Sequence, residues 1–172
     1  MPRIHVCSVD LVAEVTAASG ARDLVTLLRE HHPLERPANI APERHLRLGF
    51  NDIAEPREGL TMPQQDHVLA LLEFVQRWDR QAPLLIHCFA GVSRSTAAAF
   101  ISACLLRPDV PEASWAQRLR AASPTATPNP RLVALADEAL AREGRMIAAI
   151  AAIGRGEDCH SGTPFALDLA AP

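Results

Sequence analysis

A wholly apolar run that leads through a short loop into a long uncharged helix is the feature that most constrains the fold. Residues 83–86 read Pro-Leu-Leu-Ile, which is typical of a strand covered on both faces. The segment 94–106 carries a single charge, at Arg94, and is apolar nearly all round. We therefore predict a buried helix there. A buried strand followed by a buried helix indicates an α/β fold, because such a strand needs helices packed on its sheet.

The rest of the chain alternates strand-like and helix-like segments. Period-2 and helical patterns predict strands at 4–9, 24–28 and 45–50 and helices at 12–18, 64–80, 111–122 and 131–153. This alternation predicts a central, mostly parallel sheet flanked by helices. We assign residues 1–153 to one domain. We expect residues 154–172, which are Gly-rich and weakly patterned, to form a flexible C-terminal tail.

Composition excludes several functions. A net charge of −3 argues against a basic nucleic-acid-binding surface. The longest uncharged run, 95–106, is too short to span a bilayer. No signal peptide is recognisable at the N-terminus, so we expect a cytoplasmic protein that binds neither nucleic acid nor membrane. The pairs His31-His32 and Cys159-His160 have no second ligand pair nearby, so neither a metal site nor another cofactor is predicted.

The segment HCFAGVSRS, residues 87–95, joins the apolar strand to the uncharged helix. Ligands of open α/β sheets bind just beyond the carboxyl ends of the strands. Gly91 allows the chain to curl so that backbone N–H groups face inward, and the helix start adds its positive end. Arg94 offers a rigid fork for two oxygens of one phosphate. The predicted phosphate-binding residues are Phe89, Ala90, Gly91, Val92, Ser93 and Arg94.

HCFAGVSRS also resembles the signature of the protein tyrosine phosphatase superfamily, which has His-Cys, five residues with a central Gly, Arg, and then Ser or Thr. Its position after a strand and a long helix resembles the dual-specificity-like branch. The resemblance implies that Cys88 attacks phosphorus and that Arg94 and the loop amides hold the phosphate oxygens. It implies that Ser95 hydrogen-bonds the Cys88 sulfur and that His87 orients the Cys88 backbone. The resemblance also implies that the reaction needs no cofactor.

The family also uses an Asp on a mobile loop as general acid, about thirty residues before the cysteine. Asp52, in FNDIAEP, lies 36 residues before Cys88 at the end of a predicted strand and matches that Asp in role and context. Glu55, Glu58 and Asp66 are the alternatives. The catalytic residues expected from the resemblance are therefore Cys88, Arg94, Asp52, Ser95 and His87.

The implied function is hydrolysis of phosphomonoesters through a cysteinyl-phosphate intermediate, in a protein tyrosine or dual-specificity phosphatase. Its partner would be a phosphorylated protein or a small phosphomonoester. Two alternatives stay open: a pseudo-phosphatase module that binds phosphate without turnover, and a thiolate-dependent sulfurtransferase or arsenate reductase.

Other residues have structural interpretations. We take Asn129 as a turn residue, with support of the phosphate loop as the alternative. Cys7 and Cys104 are interpreted as core residues, with a reversible disulfide to Cys88 as the alternative.

Overall fold

The protein folds around one five-stranded sheet. The computed structural model describes residues 2–170. Its strands are β1 (Arg3–Ser8), β2 (Asp23–Leu28), β3 (His45–Gly49), β4 (Leu84–Cys88) and β5 (Phe165–Asp168). Its α-helices are α1 (Val12–Ser19), α2 (Gln65–Arg77), α3 (Arg94–Leu106), α4 (Glu112–Ala122), α5 (Pro130–Ala139) and α6 (Arg145–Ile153).

The sheet has the strand order β3-β2-β4-β1-β5. The first four strands are parallel to their neighbours, and β5 alone runs antiparallel, beside β1. The prediction of an α/β fold with a mostly parallel sheet is therefore confirmed. Because β2, β3 and β4 run parallel, their carboxyl ends meet at one edge, where ligands bind in such sheets.

Both faces of the sheet are covered. On one face, Leu84 and Ile86 of β4 pack in a large core with Phe100 of α3 and Trp115 of α4. On the other face, Leu85 packs in a smaller cluster that includes Val12 and Val15 of α1. All five residues of β4 are buried, as its apolar sequence predicts. No helix in the described part of the chain is long and apolar enough to cross a membrane.

The segment 131–153, predicted as one helix, forms two, and this prediction is wrong. Residues 140–144 separate α5 from α6, and Gly144 among them has a left-handed φ of +84°. The Asp137 carboxylate accepts hydrogen bonds from the N–H groups of Gly144 and Met146, at 2.7 and 2.8 Å. It therefore caps the start of α6. The apolar spacing continues across this break, so only Gly144 signals it in the sequence.

The flexible tail predicted from residue 154 is also wrong over part of its length. Phe165–Asp168 pair with β1 from Val6 to Arg3, and Leu167 is buried. A four-residue edge strand is too short for its alternation to be recognised. Met1, Ala171 and Pro172, which the predicted domain and tail include, lie outside the described residues.

Candidate active site

Gly91 shapes the 89–93 loop, which joins β4 to α3. Its φ of +71° lies in the left-handed region that favours glycine. A Cβ at this position would lie 2.7 Å from the carbonyl carbon of Cys7 and 2.8 Å from the amide nitrogen of Ser8. The left-handed φ and the lack of space for a Cβ both require glycine at this position. The loop therefore makes a tight turn against the end of β1.

The carbonyl groups of the 89–93 loop accept hydrogen bonds from outside the loop. Residues 89, 90, 92 and 93 accept from the backbone N–H groups of Val9, Gly162, Thr127 and Asn129, at 3.1, 2.8, 2.9 and 3.2 Å respectively. In a planar trans peptide the N–H points opposite to the C=O, so the loop N–H groups face the other way. Within residues 2–170, no group accepts a backbone hydrogen bond from residues 89–93. These N–H groups form a concave surface suited to an anion.

Cys88 and Ser95 lie at the two ends of this loop. The Cys88 Sγ and the Ser95 Oγ are 3.1 Å apart, and both side chains are buried. Cys88 ends β4, and Ser95 lies in the first turn of α3. The pair predicted from the sequence is therefore in hydrogen-bond contact, with the Ser95 hydroxyl able to donate to the sulfur.

Arg94 begins α3 and is only 7% exposed. Its Nη1 donates a hydrogen bond to the Phe50 carbonyl oxygen at 2.9 Å, which fixes the guanidinium. Its buried Nε has no hydrogen-bond partner among the described residues. Buried polar atoms are nearly always paired, and Arg94 lines a cavity, so this donor is available to an acceptor supplied from outside the chain.

Asp52 lies beside the same loop. Its Oδ1 accepts hydrogen bonds from the Ser93 hydroxyl at 2.7 Å and from the Asn129 amide at 2.8 Å. Asn129 also caps α5, because its Oδ1 accepts from the N–H groups of Arg131 and Leu132. The interpretation of Asn129 as a turn residue is thus incomplete, since the same side chain holds Asp52.

The three alternative acids lie elsewhere. Glu55 lines a separate cavity beside α5, while Glu58 is exposed in the loop before α2. Asp66 is exposed in the first turn of α2. In the described part of the chain, none of these three acids forms a hydrogen bond with the 89–93 loop. Asp52 forms one, with Ser93.

His87 belongs to a buried chain of hydrogen bonds. Its Nε2 lies 2.8 Å from the Thr26 hydroxyl, which is also 2.8 Å from Nε2 of His45. Burial lowers the pKa of His87 to about 4, and an interaction with the Cys88 backbone opposes the shift only in part. The ring is therefore neutral at pH 7, and its low pKa makes it a weak base, which suits a residue that orients the backbone.

A cavity of about 370 Å³ opens at the carboxyl ends of β2, β3 and β4. Its walls include Arg94, Asp52, Phe89, Leu28, Arg29 and His32. The Phe89 ring is 57% exposed, and the His32 ring meets it edge-on with 6.0 Å between centroids. The cavity therefore combines cationic groups, one carboxylate and an exposed aromatic face.

The other cysteines lie outside this site. Burial raises the pKa of the Cys7 and Cys104 thiols to about 12, which makes them unreactive at neutral pH. Cys7 packs in the cluster on the opposite face of the sheet from Cys88, so their disulfide is not supported. Among residues 2–170 no group of three His, Cys, Asp or Glu side chains is placed to hold a metal ion.

Sequence reasoning missed three residues near the site: Thr26, Gly162 and the supporting role of Ser93. Thr26 lies in the middle of an apolar strand, where a buried hydroxyl signals a polar partner. Gly162 gives no such signal, because it lies in the segment predicted as a flexible tail.

Comparison with known proteins finds one matching family model and several similar folds. The family model for protein-tyrosine phosphatase matches residues 56–115. Human DUSP28 superposes with a TM-score of 0.60 at 23% identity, covering 80% of this chain and 90% of its own. DUSP15 superposes with a TM-score of 0.63 at 18% identity, covering 90% of this chain and 94% of its own. PTPMT1 in complex with PI(5)P superposes with a TM-score of 0.57 at 14% identity, covering 78% of this chain and 88% of its own. No curated protein matches by sequence.

The matched segment, which contains HCFAGVSRS, and the similar folds support a phosphatase. Residues 56–115 thus resemble the protein-tyrosine phosphatase family, and the fold is similar to that of the dual-specificity phosphatases.

Proposed function

We propose that this phosphatase hydrolyses phosphomonoesters through a cysteinyl-phosphate on Cys88, with phosphorylated proteins as substrates. The observation that carries the proposal is the buried, unpartnered Nε of Arg94, which borders the inward-facing N–H groups of the 89–93 loop. An unpaired buried donor on a charged group costs more than about 1–3 kcal/mol. A phosphate oxygen supplies the missing acceptor, and the loop N–H groups bind the other oxygens.

In the first step, the Cys88 thiolate attacks phosphorus, forming the S–P bond as the P–O bond to the leaving group breaks. Asp52 transfers its proton to the departing oxygen. Both hydrogen bonds to Asp52 use Oδ1, so the transferred proton belongs on Oδ2, which has no described partner. Ser93 and Asn129 therefore orient this carboxyl without blocking its reactive oxygen.

In the second step, water attacks phosphorus and the S–P bond breaks. The Asp52 carboxylate now accepts a proton from the attacking water, which restores the acid form. The electron pair of the S–P bond returns to sulfur, where the Ser95 hydroxyl, 3.1 Å away, stabilises the thiolate by donating a hydrogen bond. Phosphate is released, and no redox partner is needed.

The substrate side of the cavity favours phosphoproteins. The side chains of the 89–93 loop carry no charge, so a polyphosphorylated headgroup gains no ionic contact from them. The exposed ring of Phe89 instead offers an apolar surface to the residue that carries the phosphate. Arg29 and His32, which line the same cavity, suit acidic residues next to the phosphorylated residue.

The test of the chemistry uses p-nitrophenyl phosphate and one matched pair of variants. Cys88→Ser is expected to abolish hydrolysis while still binding phosphate, whereas Cys159→Ser, at an exposed cysteine, keeps the wild-type rate. Trapping the phosphorylated protein by rapid acid quench should locate the phosphate on Cys88. Wild-type protein that binds phosphate without turnover would instead identify a binding module.

The test of the substrate class is a panel of phosphopeptides, phosphoinositides and nucleotides. We expect the highest kcat/KM on phosphopeptides and a selective loss on them in Phe89→Ala, with p-nitrophenyl phosphate less affected. A higher kcat/KM on phosphoinositides or nucleotides would refute the phosphoprotein assignment and leave the chemistry intact.

A further inference from the structure

The chain after α6 returns to the back of the 89–93 loop. The Gly162 N–H donates a hydrogen bond to the Ala90 carbonyl oxygen at 2.8 Å, and the Ser161 hydroxyl reaches the same oxygen at 3.4 Å. Ala90 and Gly91 share one peptide unit. Because that unit is planar and trans, a carbonyl held toward Gly162 directs the Gly91 N–H toward the concave side of the loop.

The contact at Gly162 is close as well as polar. A Cβ there would lie 3.0 Å from the Gly91 carbonyl oxygen and 3.4 Å from a methyl carbon of Val92. Gly162 does not have a left-handed φ, so glycine is needed at this position for space and not for conformation. The backbone of the tail therefore packs directly on the backbone of the loop.

The same segment is anchored on a second part of the site. The Gly156 N–H donates to the Thr127 hydroxyl at 3.1 Å, and a Cβ at Gly156 would lie 2.5 Å from the Thr125 carbonyl carbon. Thr127 in turn donates its N–H to the Val92 carbonyl oxygen at 2.9 Å. The tail thus supports the loop directly at Ala90 and indirectly at Val92.

The far end of the segment is held by the sheet. β5 pairs with β1 through Val6, and the end of β1 is the backbone against which Gly91 packs. The Val9 N–H, just after β1, donates to the Phe89 carbonyl oxygen. The segment is therefore fixed on both sides of Gly162, which allows the hydrogen bonds from Gly162 and Ser161 to hold the Ala90–Gly91 peptide.

We propose that Gly162 is a positioning residue, which keeps the Ala90–Gly91 peptide oriented so that its N–H and not its C=O faces bound phosphate. This inference rests on the proposed phosphate binding by the loop. Rotation of that peptide would place a carbonyl oxygen against a phosphate oxygen, replacing an attraction with a repulsion. The C-terminal segment is thus part of the anion site without contacting the anion.

The test replaces Gly162 with Ala, which forces the loop and the tail apart. Thr163→Ala, at the next and exposed position, is the control. We expect Gly162→Ala to raise the inhibition constant of inorganic phosphate about tenfold or more, since an oriented backbone donor is lost. Thr163→Ala should leave it unchanged. Thermal unfolding of both variants should stay near that of the wild type.

Two readouts separate positioning from a general structural role. An inhibition constant does not depend on the fraction of folded enzyme, so misfolding alone lowers the rate but not the affinity for phosphate. Hydrogen–deuterium exchange of the peptide covering residues 89–93 should become faster in Gly162→Ala. Wild-type affinity together with wild-type exchange would overturn the proposal. If the wild type itself neither binds phosphate nor hydrolyses phosphomonoesters, the proposed function fails, while exchange still decides whether Gly162 holds the loop.

Discussion

His87 is expected to make this protein less stable in mild acid. It is fully buried directly before Cys88, and burial lowers its pKa from 6.5 to about 4, with the positive charges of Arg47 and Arg94 adding to the effect. Between these two pH values His87 is protonated in the unfolded chain and neutral in the folded chain. Protonation therefore favours unfolding, and stability falls as pH decreases from about 6.5 toward 4.

The size of the effect follows from the two pKa values. The difference between the unfolded and folded pKa of His87 corresponds to a loss of about 3 kcal/mol of unfolding free energy. The full loss is reached only below the folded pKa. Between pH 7 and pH 5 the loss is about 2 kcal/mol, because His87 of the unfolded chain is nearly fully protonated at pH 5 and that of the folded chain is not. This is a large part of the 5–15 kcal/mol typical of a domain.

The assay is urea unfolding at pH 7 and pH 5, in wild type and in His87→Gln. Glutamine does not titrate and can still hydrogen-bond Thr26. We expect the loss of unfolding free energy on acidification to be smaller in the variant by about 2 kcal/mol. His5→Gln is the matched control, because burial and Arg3 also lower the pKa of His5, which is only half-buried, and its removal should have a smaller effect.

The comparison between variants is needed because His45 and His67 also have a pKa lowered by burial and add to the wild-type dependence on pH. If His87→Gln loses as much stability as wild type between pH 7 and pH 5, the reasoning is refuted. His87 would then be solvated or charged in the folded protein.

Three further predictions concern other parts of the fold. Asn129→Ala should lower turnover about tenfold on a substrate with a poor leaving group and less on p-nitrophenyl phosphate, because the proposed general acid loses its oriented position; equal losses on both would contradict this role. Asp137→Ala should destabilise the protein by about 1–2 kcal/mol and lower Tm by about 2–8 °C, because it caps α6; an unchanged Tm would show that the cap contributes nothing. In native protein at pH 8, Cys159 should react with iodoacetamide while Cys7 and Cys104 do not, as mass spectrometry of the peptides can establish; rapid labelling of either buried thiol would contradict its raised pKa.

The sequence predicted β4, the 89–93 loop and α3 well because these elements follow one another along the chain. An apolar run, a glycine and an uncharged helix are local signals, and the structure places α3 at the predicted residues 94–106. Local signals were also sufficient to single out Cys88, Arg94 and Ser95, which the structure places at the ends of the 89–93 loop. The wrong predictions occurred where the signal was short, as at β5, or where apolar spacing continued through a break, as between α5 and α6.

The amino-acid sequence by itself determined the α/β architecture and the position of the 89–93 loop, since both depend on patterns within a few turns or strands. Tertiary structure alone decided which residues support that loop. Asn129 holds Asp52 across 77 positions of sequence, and Gly162 holds Ala90 from a segment without any pattern. Such contacts depend on how distant segments pack, and a single hydrogen bond between them leaves no periodic trace in either segment.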